Sequence, residues 1–205
     1  MRRSTIAAIV LGAAVAVGAC RGDSAEEAGP QTVKDFKVAD FKRIEAAGPY
    51  DVTVTTGSAA SVRVEGPQNV LDRLVVEVKG DQLRIYRDKG RNIQWGRNSV
   101  KIAVTVPELH GATLAGSGDL SIAEVAVKSL EIEIAGSGSA AANGRADKAK
   151  YGIAGSGEVD VSKLQSRDIE LTIAGSGSIS AKATGTVTGE IMGSGEVRVT
   201  GGAKC

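Results

Sequence analysis

Residues that commonly carry catalysis or bind metal ions are scarce in this chain. Its 205 residues include one histidine, His110, and two cysteines, Cys20 and Cys205. Zinc sites and histidine-based catalysis need several such side chains close together, and no cysteine or second histidine lies near His110 in the sequence. We therefore interpret His110 as a turn or edge residue, and we expect no metal site and no cofactor. With only two cysteines, disulfides are not what holds the fold together.

An excess of charge of one sign is also missing. Lysine and arginine number 25 and aspartate and glutamate number 24, which gives a formal net charge of +1. Domains that bind nucleic acid usually present a strongly basic face. We therefore expect no nucleic-acid partner.

No apolar run is long enough to span a membrane as a mature helix. Residues 6–17 form an apolar run of 12 residues, whereas a spanning helix needs about 20. The run follows Arg2 and Arg3, as in a signal peptide, and leads into VGAC at Cys20, which resembles the lipobox of bacterial lipoproteins. We predict that residues 1–19 are a lipoprotein signal peptide and that Cys20 is lipidated. The alternative is an ordinary secretory signal with an unmodified cysteine.

The segment that begins at the predicted lipidation site has no apolar periodicity. Residues 20–32 are rich in small and charged side chains, which is typical of a flexible tether. Removal of residues 1–19 deletes two arginines and no acid, so the mature chain would carry a net charge of about −1. Arg21 is not the aspartate that retains some lipoproteins at the inner membrane. We therefore favour anchoring in the outer membrane, facing the periplasm or the cell surface.

A five-residue phrase recurs through the second half of the chain. It reads LAGSG, IAGSG, IAGSG, IAGSG and IMGSG, and its first glycines are Gly116, Gly136, Gly155, Gly175 and Gly193. Successive copies are therefore 20, 19, 20 and 18 residues apart. A short apolar strand that bends at this interval cannot bury its face alone, so the copies must stack and share a core.

Apolar and polar residues alternate on both sides of each Gly-Ser-Gly bend, as in β-strands with one buried face. One inward column comprises Leu114, Ile134, Ile153, Ile173 and Ile191. We predict an all-β fold, a right-handed parallel β-helix (β-solenoid) with about 18–20 residues per coil. Glycine at the bends would supply a positive φ or a close approach of stacked backbones. Tyr151, the one aromatic residue of the repeats, is expected to face inward.

The N-terminal half shows less regular strand patterns. Residues 47–52 resemble a worn copy of the later bend followed by a strand. Residues 68–75 can form about one helical turn, because proline at the preceding position favours the first turn of a helix. Apolar residues then alternate with polar ones on either side of Gly80-Asp81, which predicts a β-hairpin.

Three runs of this chain carry a family pattern: DFKRIEAAGPYDVTVTTG, VRVEGPQNVLDRLVVEVKGDQLRIY and VKIAVTVPELHGATLAGSGDLSI. They resemble the head GIN domain family, which is named for autotransporter adhesins and is a domain of unknown function. The resemblance covers nearly all of the predicted mature chain. It implies an all-β, β-helix-like fold in bacterial cell-envelope proteins, with no established enzymatic activity and no catalytic residues to carry over.

The Gly-Ser-Gly bends do not match catalytic or phosphate-binding motifs. None is followed by Gly-Lys-Ser/Thr or by a helix, and a nucleophile elbow would need glycines two residues on either side of the serine. The residues after the bends form the column Asp119, Ser139, Glu158, Ser178 and Glu196. Serine thereby separates the acids by about 10 Å at about 4.8 Å per coil, which favours avoided repulsion over a calcium site.

The most unusual polar stretch is residues 87–98, RDKGRNIQWGRN, which we call the basic segment. It combines the only tryptophan with four cations: Arg87, Lys89, Arg91, Trp95 and Arg97. Such a stretch suits contact with an anionic polysaccharide, lipid headgroups or a partner protein. The alternative, which we favour at this point, is that Trp95 packs onto the sheet and caps the solenoid while the charges are solvated.

We assign residues 33–205 to a single all-β domain with regular repeats over 110–205. The expected function is that of a non-catalytic cell-envelope lipoprotein, a structural or adhesin-like module with a membrane anchor at Cys20 and a glycan or envelope protein as its partner. The competing hypothesis is a carbohydrate-binding or carbohydrate-active β-helix. A cleaving site would need converging acids and aromatic platforms, and the chain has only six aromatic residues.

Overall fold

The computed structural model describes residues 29–88 and 100–204. These residues form one 14-stranded sheet, folded around a single core, and one short helix. The elements are β1 (Gln31–Phe36), β2 (Arg43–Ala47), β3 (Asp51–Thr56), β4 (Ser61–Pro67), α1 (Gln68–Leu71), β5 (Leu74–Lys79), β6 (Gln82–Arg87), β7 (Lys101–Val106), β8 (Gly111–Gly116), β9 (Asp119–Gly136), β10 (Ser139–Gly155), β11 (Glu158–Gly175), β12 (Ser178–Ala183), β13 (Val187–Gly193) and β14 (Glu196–Thr200).

The repeat half is a parallel β-solenoid, as the sequence predicts. β9, β10 and β11 stack in parallel register, and every bend lies on the next: Gly136 pairs with Gly155, and Gly155 with Gly175. The solenoid makes about four turns, and the predicted all-β class is confirmed. Its right-handed sense stays a prediction.

Each coil of the solenoid turns at a corner that the sequence pattern does not reveal. The ladder between β9 and β10 shifts register once, between Ala142 and Gly144, and resumes in two further segments on either side of residue 147. Glu124 has a positive φ of 56° at this corner, and its backbone N–H donates to Asn143 Oδ1 at 2.5 Å. The residues on both sides of this corner are therefore paired strand.

The bend glycines hold stacked backbones at distances that no side chain would permit. The first glycine of each repeated bend has a φ between +130° and +137°. A Cβ on Gly138, a second glycine, would lie 2.5 Å from the carbonyl oxygen of Gly118 in the neighbouring coil. Both predicted roles of glycine, positive φ and close approach, are confirmed at these bends.

The first coil along the chain lies between two later coils and not at the end of the stack. β2 pairs on one side with β8 and on the other with β6, and β3 pairs on one side with β9 and on the other with β7. The chain therefore forms the coil β2–β3, then adds β6–β7 outside it, and returns to stack β8 on its other face. Gly48 stacks under Gly116 and has a φ of +153°, so the worn bend copy is confirmed.

Antiparallel strands close the N-terminal end of the solenoid. β4 lies antiparallel to both β7 and β1, and β5 forms the predicted hairpin with β6. The predicted helical turn is α1. β1 begins at Gln31, which pairs with Pro67, so ordered strand extends into the end of the segment that the sequence indicates as tether.

Small residues in one coil make room for a single large one. The inward residues of β10 include Ala140, Ala142, Ala146 and Ala149, and Tyr151, which follows them in the same strand, is completely buried. Its hydroxyl lies 3.4 Å from Ser166 Oγ in the next coil. Burial raises the pKa of Tyr151 to about 12, so its phenol is neutral at physiological pH.

Candidate interaction surface

Of the basic segment, the structure describes only Arg87 and Asp88, and the described chain resumes at Val100. Arg87 is the last residue of β6, Asp88 follows it, and Val100 precedes β7. The backbone N–H of Asp88 donates to the carbonyl of Arg73 at 2.9 Å, and the carbonyl of Val100 accepts from the N–H of Asp51 at 3.0 Å. The other candidate contact residues lie outside the described residues: Lys89, Arg91, Trp95 and Arg97.

The described residues on either side of residues 89–99 lie at a corner of the solenoid. Tyr86 pairs with Ala47, where β2 ends, and Lys101 pairs with Asp51, where β3 begins. Asp88 and Val100 therefore lie at the corner that residues 48–50 turn in the next coil. Because every later coil turns there with a Gly-Ser-Gly bend, this insertion is specific to the outermost parallel coil.

A network of polar side chains lies beside this corner on the outer face of β2, β5 and β6. The hydroxyl of Tyr86 donates a hydrogen bond to Glu77 at 3.1 Å. This contact raises the pKa of Tyr86, because the phenolate would face a carboxylate. The guanidinium of Arg84 lies 5.5 Å from the ring centre of Tyr86 and 3.1 Å from Glu45. Gln82 also donates to Glu45, at 3.2 Å. The network presents an aromatic ring and a cation side by side.

Sequence reasoning did not single out this network, although its signal was present. Gln82, Arg84 and Tyr86 alternate with the buried Leu83 and Ile85 along β6, so they share the outward face. Their partner Glu77 comes from the other strand of the hairpin, and Glu45 comes from β2, which the sequence alone does not bring alongside β6.

The positive charge of Arg87 acts on Tyr50 at the first bend. Burial raises the pKa of Tyr50 to about 12, and the positive charge of Arg87 opposes that rise. Tyr50 occupies the corner residue directly before β3 and is completely buried. Of the five candidate contact residues, Arg87 is therefore the one that the structure places, half-buried at the corner.

His110 lies in the turn between β7 and β8, where the sequence interpretation put it. Its backbone N–H donates to the carbonyl of Lys42 at 2.7 Å. Its Nε2 lies 3.1 Å from Glu108, which also accepts a hydrogen bond from Lys42 at 3.1 Å. These two neighbours lower the pKa of Glu108, the histidine contributing most. The cluster is an exposed ion-pair network rather than a buried acid–base pair.

Two polar ladders run along the outer face of the repeats, and the first is the column of acids and serines that follows the bends. Ser139 donates to Asp119 at 2.5 Å, so a hydroxyl rather than a second acid faces this carboxylate. Glu131 accepts from Arg43 at 2.9 Å and lies 3.5 Å from Lys150. The bond from Arg43 is the main cause that lowers the pKa of Glu131. Alternating charge thus stabilises the outer face of the stack.

Three of the five aromatic side chains in residues 29–88 and 100–204 are buried, and another, Phe36, lines a surface groove with Asp35 and Arg63. Phe41, Tyr50 and Tyr151 are buried in the core, and Phe36 packs against it. Residues 29–88 and 100–204 contain no group of three or more histidine, cysteine, aspartate or glutamate side chains able to hold a metal ion. A groove of about 410 Å³ on the repeats is lined by lysines and acids without an aromatic residue: Ser129, Lys148, Ala149, Lys150, Asp168, Ile169, Glu170, Thr186 and Thr188.

Solved structures share the fold of this chain. A protein described as a putative adhesin from Bacteroides fragilis superposes with a TM-score of 0.64 at 21% identity, over 85% of this chain and 96% of that chain. A protein described as a putative lipid binding protein from Parabacteroides distasonis gives a TM-score of 0.56 at 24% identity, with the same coverages of 85% and 96%. At these identities the likeness shows the fold.

A family model matches residues 40–203, which is most of the chain. No curated protein matches this chain. No helix in residues 29–88 or 100–204 is long and apolar enough to cross a membrane. The description of the matched family names an adhesin and not an enzyme. This description agrees with a cell-surface or envelope protein. The chain belongs to the family described as "putative auto-transporter adhesin, head GIN domain".

Proposed function

We propose that this protein is a non-catalytic, adhesin-type binding module that contacts an anionic glycan through the basic segment. The observation that carries the proposal is the position of the two strands that flank that segment. β6 and β7 stack directly on β2 and β3, so Asp88 and Val100, the described residues on either side of the insertion, lie at a corner that the later coils turn with a short Gly-Ser-Gly bend. Binding residues are commonly found on such insertions, which a rigid scaffold holds in place.

The chemistry of the segment suits an acidic polysaccharide. Four cations and one tryptophan stand against one acid between residues 87 and 98. Cations attract carboxylate or sulfate groups, and an indole ring stacks on the apolar face of a sugar. The neighbouring Tyr86 and Arg84 extend the same combination onto the described surface of β6. This location supports binding rather than cleavage, because the acids beside it are engaged by Arg84, Gln82 and Tyr86.

A binding experiment tests the glycan hypothesis. The chain from Arg21 onward contains every described residue and hence the whole core, so it can be assayed without the predicted lipid. On an array of anionic and neutral glycans, we expect saturable binding to anionic members that weakens as salt rises. The double variant Arg91→Ala/Trp95→Ala should lose about tenfold or more in affinity, as for other contacts anchored by tryptophan and arginine.

The matched control removes two cations elsewhere. Lys128 and Arg145 are exposed on the repeats, so Lys128→Ala/Arg145→Ala changes the net charge more than the test variant without touching the corner. Equal losses in both variants would show non-specific charge attraction. Wild-type protein that binds no glycan would contradict the proposal and favour a structural module in which Trp95 caps the solenoid.

We further propose that Cys20 carries a lipid that anchors the protein in the outer membrane. The support is the sequence of residues 1–20, which lie outside the described residues. The strand order puts β1 at the far N-terminal end of the sheet, so a tether enters the domain at one end of the solenoid and leaves its length free.

The anchor is tested by exchanging each cysteine in turn. Wild-type protein should partition with the membrane pellet and incorporate a radiolabelled fatty acid, whereas Cys20→Ser should lose the label and at least about 90% of its membrane association, since no second anchoring signal is evident. Cys205→Ser is the matched control and should behave as wild type. Cys20→Ser protein that remains labelled and in the pellet would contradict the proposal.

A further inference from the structure

The C-terminal end of the solenoid presents an open sheet edge. Among the described residues, β13 pairs only with β11, and β14 pairs only with β12. Ile191 and Met192 on this edge are 47% and 53% exposed. Ile191 belongs to the inward column of the repeats, whose other members are buried: Leu114, Ile134, Ile153 and Ile173. The apolar interior therefore continues to this end and meets solvent there.

We propose that this edge is covered by the same edge of a second copy of the protein. A two-fold axis perpendicular to the solenoid and passing through the Gly193-Ser194-Gly195 bend would bring the two ends together. Such an axis reverses strand direction, so β13 of one copy would lie antiparallel to β14 of the other. The contact is isologous, which means that one patch must be complementary to itself.

The side chains of the two strands satisfy this requirement. Counting outward from Ser194, Ile191 falls opposite Val197 of the second copy, and both belong to inward columns. Glu190 falls opposite Arg198 of the second copy, and both point outward. The axis generates each pair twice, so the interface gains two apolar pairs inside and two opposite-charge pairs outside.

One gap in the interior is filled by the same arrangement. Gly189 continues an inward column that runs through Ile132, Tyr151 and Leu171, so it leaves this column without a side chain at the last coil. Val199 of the second copy falls opposite Gly189 and supplies the missing apolar group. Thr188 and Thr200 complete the pairing on the outer face.

The opposite end of the solenoid does not offer an equivalent partner. Lys34 on β1 is engaged by Asp72 at 2.6 Å, and Asp35 on β1 is engaged by Arg63 at 2.7 Å. Charged side chains of this kind discourage pairing at a sheet edge, and the C-terminal edge carries one such pair, Arg198 with Glu196 at 3.1 Å, beside its exposed apolar residues. A head-to-tail contact would also propagate into filaments, whereas the two-fold contact closes at two copies. The dimer depends on neither the proposed glycan binding nor the proposed lipid anchor.

Sedimentation of the chain from Arg21 onward tests the dimer. We expect the mass to double as concentration rises through the micromolar range, the order of affinity of small transient interfaces. Glu190→Arg puts two arginines opposite each other and should raise the dissociation constant about tenfold or more. Glu190→Arg/Arg198→Glu restores opposite charges and should bring the dissociation constant back to within about threefold of wild type.

Two further variants keep the test specific. Glu133→Arg is the matched control, because Glu133 is an exposed member of the same outward column as Glu190 and lies well inside the stack; it should dimerise as wild type. Ile191→Lys places a charge in the inward column and should give a monomer with an unchanged fold by circular dichroism. A monomer at all concentrations, a mass above that of two copies, or a charge swap that fails to restore dimerisation would each overturn the proposal.

Discussion

Gly155→Ala is expected to be among the most destabilising single substitutions in this protein. Gly155 has a φ of +130°, a conformation that residues with a side chain rarely adopt. Its added Cβ would lie 2.3 Å from the carbonyl oxygen of Gly136, which is backbone of the neighbouring coil and cannot rotate away. Strain and overpacking together should lower the free energy of unfolding by about 3–5 kcal/mol. Thermal unfolding followed by circular dichroism should show a fall of roughly 10 °C.

Gly152 in the same strand provides the matched control. A Cβ there would meet nothing closer than Glu133 Cγ at 3.6 Å, an ordinary contact. Because alanine also restricts the unfolded chain, Gly152→Ala should be neutral or stabilise by up to about 1 kcal/mol. Equal melting temperatures for the two variants would contradict the stacked-bend explanation.

Tyr151→Ala should cost a comparable amount through a different mechanism. Tyr151 is the largest buried side chain of a coil lined mainly by alanines, so its truncation leaves a cavity that these alanines cannot fill. Truncation of buried aromatic residues typically costs about 3–5 kcal/mol. We expect the midpoint of guanidinium-induced unfolding to shift to a lower concentration, with the slope of the transition unchanged.

Tyr151→Phe measures the contribution of the hydroxyl separately from that of the ring. The ring stays, but Ser166, the one buried polar residue in the described core, loses the partner that lies 3.4 Å away. We expect a loss of about 1 kcal/mol, most of it recovered in Tyr151→Phe/Ser166→Ala because neither hydroxyl is then left unpaired. If Tyr151→Ala were as mild as Tyr151→Phe, the packing argument would be wrong.

The regular half of the fold is predictable from the sequence because its constraints are local. A strand that buries one face needs alternating residues, and a bend stacked on a bend needs glycine. Ile153 and Gly155 therefore mark their positions in the sequence itself. The same logic identified the worn bend at Gly48 and the hairpin around Gly80.

Strand order in the N-terminal half could not be predicted in this way. Val52, Val62, Val76 and Ile102 all show the same alternation, and nothing in that pattern states which strand is a neighbour of which. Pairing there depends on contacts between residues far apart in the chain, such as Ala47 with Tyr86. For the same reason the network of Glu45, Glu77 and Arg84 was not foreseen, although the basic segment beside it was.

The insertion of the β2–β3 coil between two later coils governs the order in which the chain can fold. During synthesis or export from the N-terminus, β2 and β3 emerge with neither neighbouring coil yet available. Their neighbours, β6–β7 and β8–β9, follow in that order, and each closes a long loop at an entropic cost. Folding is therefore expected to begin in the regular coils, where contacts are one repeat apart, and to reach the N-terminal end last. The domain would then remain open at its N-terminal end until the last coils have formed.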